Sequence, residues 1–130
     1  MQPDPSQSNA SPFKGRSGLK RVFFAAGHSF DGLVAALRGE AAFRQMLALA
    51  AVLIPVALVL DVTPAERALM VAVLMLGLVV ELINSAIEAA IDRISLELHP
   101  LSKNAKDMGS AAQMVTLVLI SLVWLIILLG

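Results

Sequence analysis

Thirteen consecutive apolar residues, A-L-M-V-A-V-L-M-L-G-L-V-V at positions 68–80, run directly into the polar-studded segment E-L-I-N-S-A-I-E-A-A-I-D at 81–92. A run of that kind has to sit in a dry environment. In lipid the backbone must satisfy its own hydrogen bonds, so a single crossing segment is a helix. At about 100° per residue, Glu81, Asn84, Ser85, Glu88 and Asp92 fall within an arc of about 100°. Leu82, Ile83, Ala86, Ile87 and Ala90 take the other side. An ionisable side chain inside a bilayer costs roughly 2.5–3.5 kcal/mol on insertion scales. Such a face is a metal or catalytic site, or it is polar glue between membrane helices. Glue is usually Ser, Thr or Asn rather than carboxylate, which favours the functional reading.

The rest of the composition agrees with a membrane protein of one domain. Of 130 residues 58% are hydrophobic, and the mean hydropathy is +0.80. The absence of Cys excludes disulfides, thiolate nucleophiles and thiolate metal sites. Lys+Arg and Asp+Glu both number 10, and no basic stripe points to nucleic acid. Residues 1–17, rich in Pro, Ser, Gln and Gly, have no apolar core after the start. They read as a disordered tail rather than a signal peptide.

Residues 18–130 form the expected membrane domain. Leu19, Val22, Phe23, Ala26, Phe30, Leu33, Val34 and Leu37 make one stripe over 18–38, with Lys20, Arg21, His28, Asp31 and Arg38 opposite. That pattern predicts an amphipathic helix in the membrane interface. Spans are expected at about 41–60, 66–92 and 108–129, each long enough at 1.5 Å per residue to cross roughly 30 Å of hydrocarbon. Pro55 is tolerable inside a membrane helix. Thr63 and Pro64 predict the start of the second span. Residues 95–107 read as a loop. The G-S-A-A stretch at 109–112 offers small residues for close packing, and Trp124 suits the far interface.

Positive charge in short flanks sets orientation. Lys14, Arg16, Lys20, Arg21, Arg38 and Arg44 precede or open the first span, and Arg93, Lys103 and Lys106 flank the second loop. The first loop holds only Arg67. The N-terminus and second loop are therefore expected in the cytoplasm and the C-terminus outside. Glu40, Glu88, Asp92, Lys106 and Asp107 then gather at one face, with Glu81 about 10 Å deeper. Glu40 and Glu88 could share Mg²⁺ with nucleotide phosphates. Lys106 could neutralise phosphate charge. Glu81 lies at the depth of a lipid hydroxyl and could act as a general base, oriented by Asn84. No phosphate-binding Gly loop of a soluble nucleotide enzyme is present.

The segments E-A-A-F-R-Q (40–45), V-E-L-I-N-S-A-I-E-A-A-I-D-R-I (80–94) and A-K-D-M-G-S-A-A (105–112) resemble the prokaryotic diacylglycerol kinase family, over roughly residues 18–129. The resemblance implies an all-α, homotrimeric inner-membrane bundle of three-helix subunits with a surface helix and active sites shared between subunits. It implies transfer of phosphate from ATP, with Mg²⁺, to a lipid alcohol, giving phosphatidic acid from diacylglycerol. By motif position, Glu81 resembles the catalytic base, and Asn84 and Lys106 fall on catalytic positions. Glu40 and Glu88 resemble the metal ligands. Arg21, His28, Asp92, Glu97, Leu98, His99, Lys106 and Asp107 fall, with the metal ligands, on nucleotide positions. Arg21, Ala42, Phe43, Arg44, Gln45, Met46, Glu81 and Ser110 fall on lipid positions. His28 departs from the aromatic expected there. H-P-L-S-K (99–103) leans toward the undecaprenol kinase branch of the family. The M-G-S-A-A stretch and Trp124 lean toward diacylglycerol, the reading preferred here. A non-enzymatic, oligomeric ion pathway is the other alternative. It would need polarity along a whole span, and residues 68–80 have none.

Overall fold

The computed structural model describes residues 18–130; the tail expected over 1–17 lies outside them. Among the described residues there are four helices and no strand: α1 (Gly18–Gly39), α2 (Ala41–Val59), α3 (Pro64–Ile94) and α4 (Pro100–Leu129). The chain divides into two units between Ala35 and Ala36. In the first, α1 leaves the large residues of its predicted stripe exposed, Leu19, Phe23 and Phe30 among them.

In the second unit, α3 packs against both α2 and α4. Met46, Ala50 and Ala57 of α2 meet Met70, Val73 and Leu74 of α3 and Ile120 and Trp124 of α4. Gly77 lets this seam close: a Cβ there would stand 2.5 Å from Met46 Cε and 3.3 Å from Ile120 Cδ1. Outward, Val52, Leu58, Leu69, Met75, Val115 and Ile126 remain exposed. Three helices, α2, α3 and α4, are long and apolar enough to cross a membrane. α2 runs through Pro55 without a break.

Local chemistry sets the helix ends. Thr63 Oγ1 accepts from Glu66 N at 3.2 Å, with Pro64 opening α3, as its sequence predicts. The last carbonyls of a helix have no intrahelical donors. Arg67 supplies them for α2, donating to Ala57 O at 2.7 Å and Leu58 O at 2.6 Å, and to Val62 O at 3.3 Å in the turn.

Two expectations are corrected. The loop expected over 95–107 is short, because α4 already begins at Pro100. His99 Nδ1 accepts from Leu101 N at 3.1 Å, Pro100 takes a first-turn position that needs no N–H donor, and Lys103 pairs with Asp107 one turn on. The first two turns of α4 are thus a polar extension of an apolar helix. Trp124, expected at the interface, is instead buried in the seam between α3 and α4. Its indole N–H donates to Met70 O at 3.2 Å, which satisfies the ring's one polar atom in the core.

Candidate active site

The polar arc of α3 faces the other helices. Glu81 is 3% exposed, and Asn84 and Ser85 are each 8% exposed. Ile83, Ala86, Ala89 and Ala90 lie outside. Glu81 is therefore a carboxylate held in the packed interior, just beyond the apolar run that precedes it. Asn84, three residues on, lies on the same buried face of α3. The charges of Glu88 and Glu40 also act on Glu81. Glu40 comes from a different element. It stands in extended backbone immediately before α2, where its carbonyl accepts Arg44 N at 3.2 Å. Its carboxylate makes no capping bond.

Glu81 and Glu88 thus lie about two turns apart on α3, and Glu40 lies just ahead of α2. The two ion pairs among the described residues, Lys103–Asp107 and Lys106–Asp92, involve none of them. Like charges in a dry site repel, and a divalent cation would relieve that repulsion. No three Asp, Glu or His side chains among the described residues form a metal cage. Glu40 and Glu88 are each half-buried.

A second feature lies beyond Glu88. Asp92, Glu97, Leu98, His99, Lys106 and Asp107 all line one cavity of about 620 Å³ between the end of α3 and the start of α4. Lys106 Nζ donates to Asp92 Oδ1 at 2.6 Å across it. All six were predicted nucleotide positions. The early start of α4 is what gathers them, because it places Lys103 one turn before Lys106 and Asp107 on the same helix.

Other predicted residues fall elsewhere. Arg21 and His28 are exposed on α1, in the other unit. In the 42–46 stretch, Phe43 and Met46 turn into the core, while Ala42, Arg44 and Gln45 stay on the surface. Arg44 donates to Leu37 O at 3.0 Å and Arg38 O at 3.2 Å. Ser110 is exposed beside the buried Gly109.

Sequence reasoning missed Gln113, whose Nε2 donates to Gly77 O at 3.3 Å. Its Oε1, Asn84 Oδ1 and Ser85 Oγ are buried without hydrogen-bond partners among the described residues. An amide one turn into an otherwise apolar span was the available signal. Chemically, the arrangement offers a dry carboxylate that can take a proton from an alcohol. Two further carboxylates could hold a cation, and the cavity carries two lysines and an imidazole beside the carboxylates of Asp92, Glu97 and Asp107.

The profile described as "Prokaryotic diacylglycerol kinase" matches residues 27–128. A Pseudomonas aeruginosa protein named diacylglycerol kinase is 66% identical over 120 residues, covering 92% of this chain and 98% of the relative. The diacylglycerol kinase of Escherichia coli strain K12 is 45% identical over 112 residues, 86% of this chain and 92% of the relative. That of Helicobacter pylori strain 26695 is 47% identical over 107 residues, 82% and 84% respectively.

Proposed function

This chain belongs to the prokaryotic diacylglycerol kinase family, and from that premise we propose that it is a membrane enzyme moving the γ-phosphate of ATP to the free hydroxyl of diacylglycerol, giving phosphatidic acid. The observation that carries the reading is Glu81, a carboxylate 3% exposed at the end of an apolar run, with Asn84 beside it. Glu81 takes the proton of the lipid hydroxyl as its oxygen attacks the γ-phosphorus and the bond from that phosphorus to the departing ADP breaks, and Asn84 orients the carboxylate. Glu40 and Glu88 would hold Mg²⁺. There it would offset the negative charge that develops on the phosphate during transfer. Lys106 adds positive charge at the cavity that receives the nucleotide. The N-terminus and the loop at 95–99 lie on the cytoplasmic side of the inner membrane, where ATP is, and the C-terminus lies outside. Three copies associate, and each site is completed by a neighbour. The half-open setting of Glu40 and Glu88 in one chain supports this, because fixed dipoles act more strongly in a closed site.

The undecaprenol reading rested on H-P-L-S-K. Its His-Pro pair has a task independent of any lipid, since both residues start α4. Phosphate transfer from ATP to diacylglycerol and to undecaprenol, compared in one detergent, tests the choice. Faster transfer to diacylglycerol is expected. Preference for undecaprenol would move the chain to the other branch, and transfer to neither lipid would remove the kinase reading.

A further inference from the structure

Asn84 has two ends with different needs. The Glu81 carboxylate only accepts hydrogen bonds, so the end of the amide that serves it is the N–H₂ end. The carbonyl end finds no donor in a carboxylate. It is buried without a hydrogen-bond partner among the described residues. What it meets is α4 at Gly109. A Cβ built on Gly109 would overlap Asn84 Oδ1 and stand 3.3 Å from Asn84 Cγ and 3.9 Å from Asn84 Cα. The Asn84 amide oxygen thus occupies the space in which any other residue at 109 would carry its side chain. The backbone C–H of glycine is the kind of weak donor that can face a carbonyl oxygen so closely. Helix propensity makes the choice of glycine informative. Inside a helix, glycine costs roughly 0.8–1.0 kcal/mol relative to alanine, and Gly109 sits ten residues into α4 in ordinary helical backbone.

We infer that Gly109 is a positioning residue for the phosphoryl transfer: by lacking a side chain it seats the Asn84 amide so that its nitrogen end serves Glu81. The inference rests on Glu81 being the base. It goes beyond simple helix packing, because the clash falls on a polar end group that acts on the base rather than on apolar core. A methyl at 109 pushes the amide off its seat, while the cavity beyond Asp92 keeps its lining.

Gly109→Ala, Asn84→Ala and the double variant test this against wild type. Gly109→Ala is expected to lower kcat by roughly 10- to 10²-fold, the scale of loss from an ångström of misplacement, with KM for ATP unchanged. Asn84→Ala removes the amide that the methyl would strike. The double variant should therefore fold normally and turn over at the rate of Asn84→Ala alone, so the two losses do not add. That comparison holds even if Gly109→Ala by itself folds poorly. Full turnover in Gly109→Ala would overturn the inference. So would a double variant slower than Asn84→Ala by the whole Gly109→Ala factor, or an equal rise in KM for ATP; these mark a packing role. If Glu81→Gln kept wild-type turnover, the underlying assignment of the base would fall instead, and the inference with it.

Discussion

Glu81, Glu88 and Glu40 differ in surroundings more than in chemistry, and that separates their tasks. Glu81 is enclosed and has an amide beside it, whereas Glu40 and Glu88 are half-buried and keep their carboxylates out of both ion pairs. An enclosed carboxylate suits proton abstraction from a lipid alcohol, and half-open ones suit a cation that keeps several waters. Replacing Glu40 or Glu88 by Ala is expected to raise the Mg²⁺ concentration needed for half-maximal rate by about 10-fold or more. Even losing a partner that merely supports a ligand costs 10- to 100-fold. A Mg²⁺ titration of both variants checks this, and curves superimposable on wild type would place the ligands elsewhere. Glu81 and Glu88 were legible in the sequence because charge in or beside an apolar run is conspicuous, whereas Glu40 was picked out by its place at the edge of a span and by the family resemblance. Gly109 was legible only as a small residue. Its relation to Asn84 depends on which turn of α4 meets which turn of α3, and one sequence does not contain that register.

At the scale of elements, α3 carries the apolar stretch and Glu81 on one continuous helix, so burial of Glu81, Asn84 and Ser85 follows from its packing against α2 and α4. Their arc was readable at about 100° per residue. The start of α4 was not. A polar stretch reads as loop until His99 is seen capping Leu101 and Lys103 pairing with Asp107. Trp124 misled for a related reason: its hydrogen bond to Met70 O makes a core position available to a residue usually placed at interfaces. Gln113 bridges α4 to Gly77 of α3 while leaving Oε1 unpartnered. Bonds of this kind in membranes average about 0.6 kcal/mol, and a buried polar atom without a partner offsets part of that. Gln113→Leu should therefore leave unfolding stability within about 1 kcal/mol of wild type and retain turnover. Unfolding in mixed micelles measures it. A much larger loss would mean that the amide is fully bonded in the assembled enzyme.

For the whole molecule, the three long apolar helices and the family membership describe a membrane kinase, and the chemistry concentrates at one end of the bundle. That polarity gradient, none in 68–80 and dense from 81 onward, could be read directly from the sequence and argues against a pore. How copies assemble could not, because the exposed faces of α2 and α4 are as apolar toward lipid as toward a neighbour. The account stands most directly on Glu81 as the base. The decisive measurement is the rate of phosphate transfer from ATP to diacylglycerol by purified Glu81→Gln beside wild type. The account predicts a fall in kcat of at least about 10²-fold, within the range of general-base catalysis, with affinity for ATP retained. Wild-type turnover in the glutamine variant would contradict it.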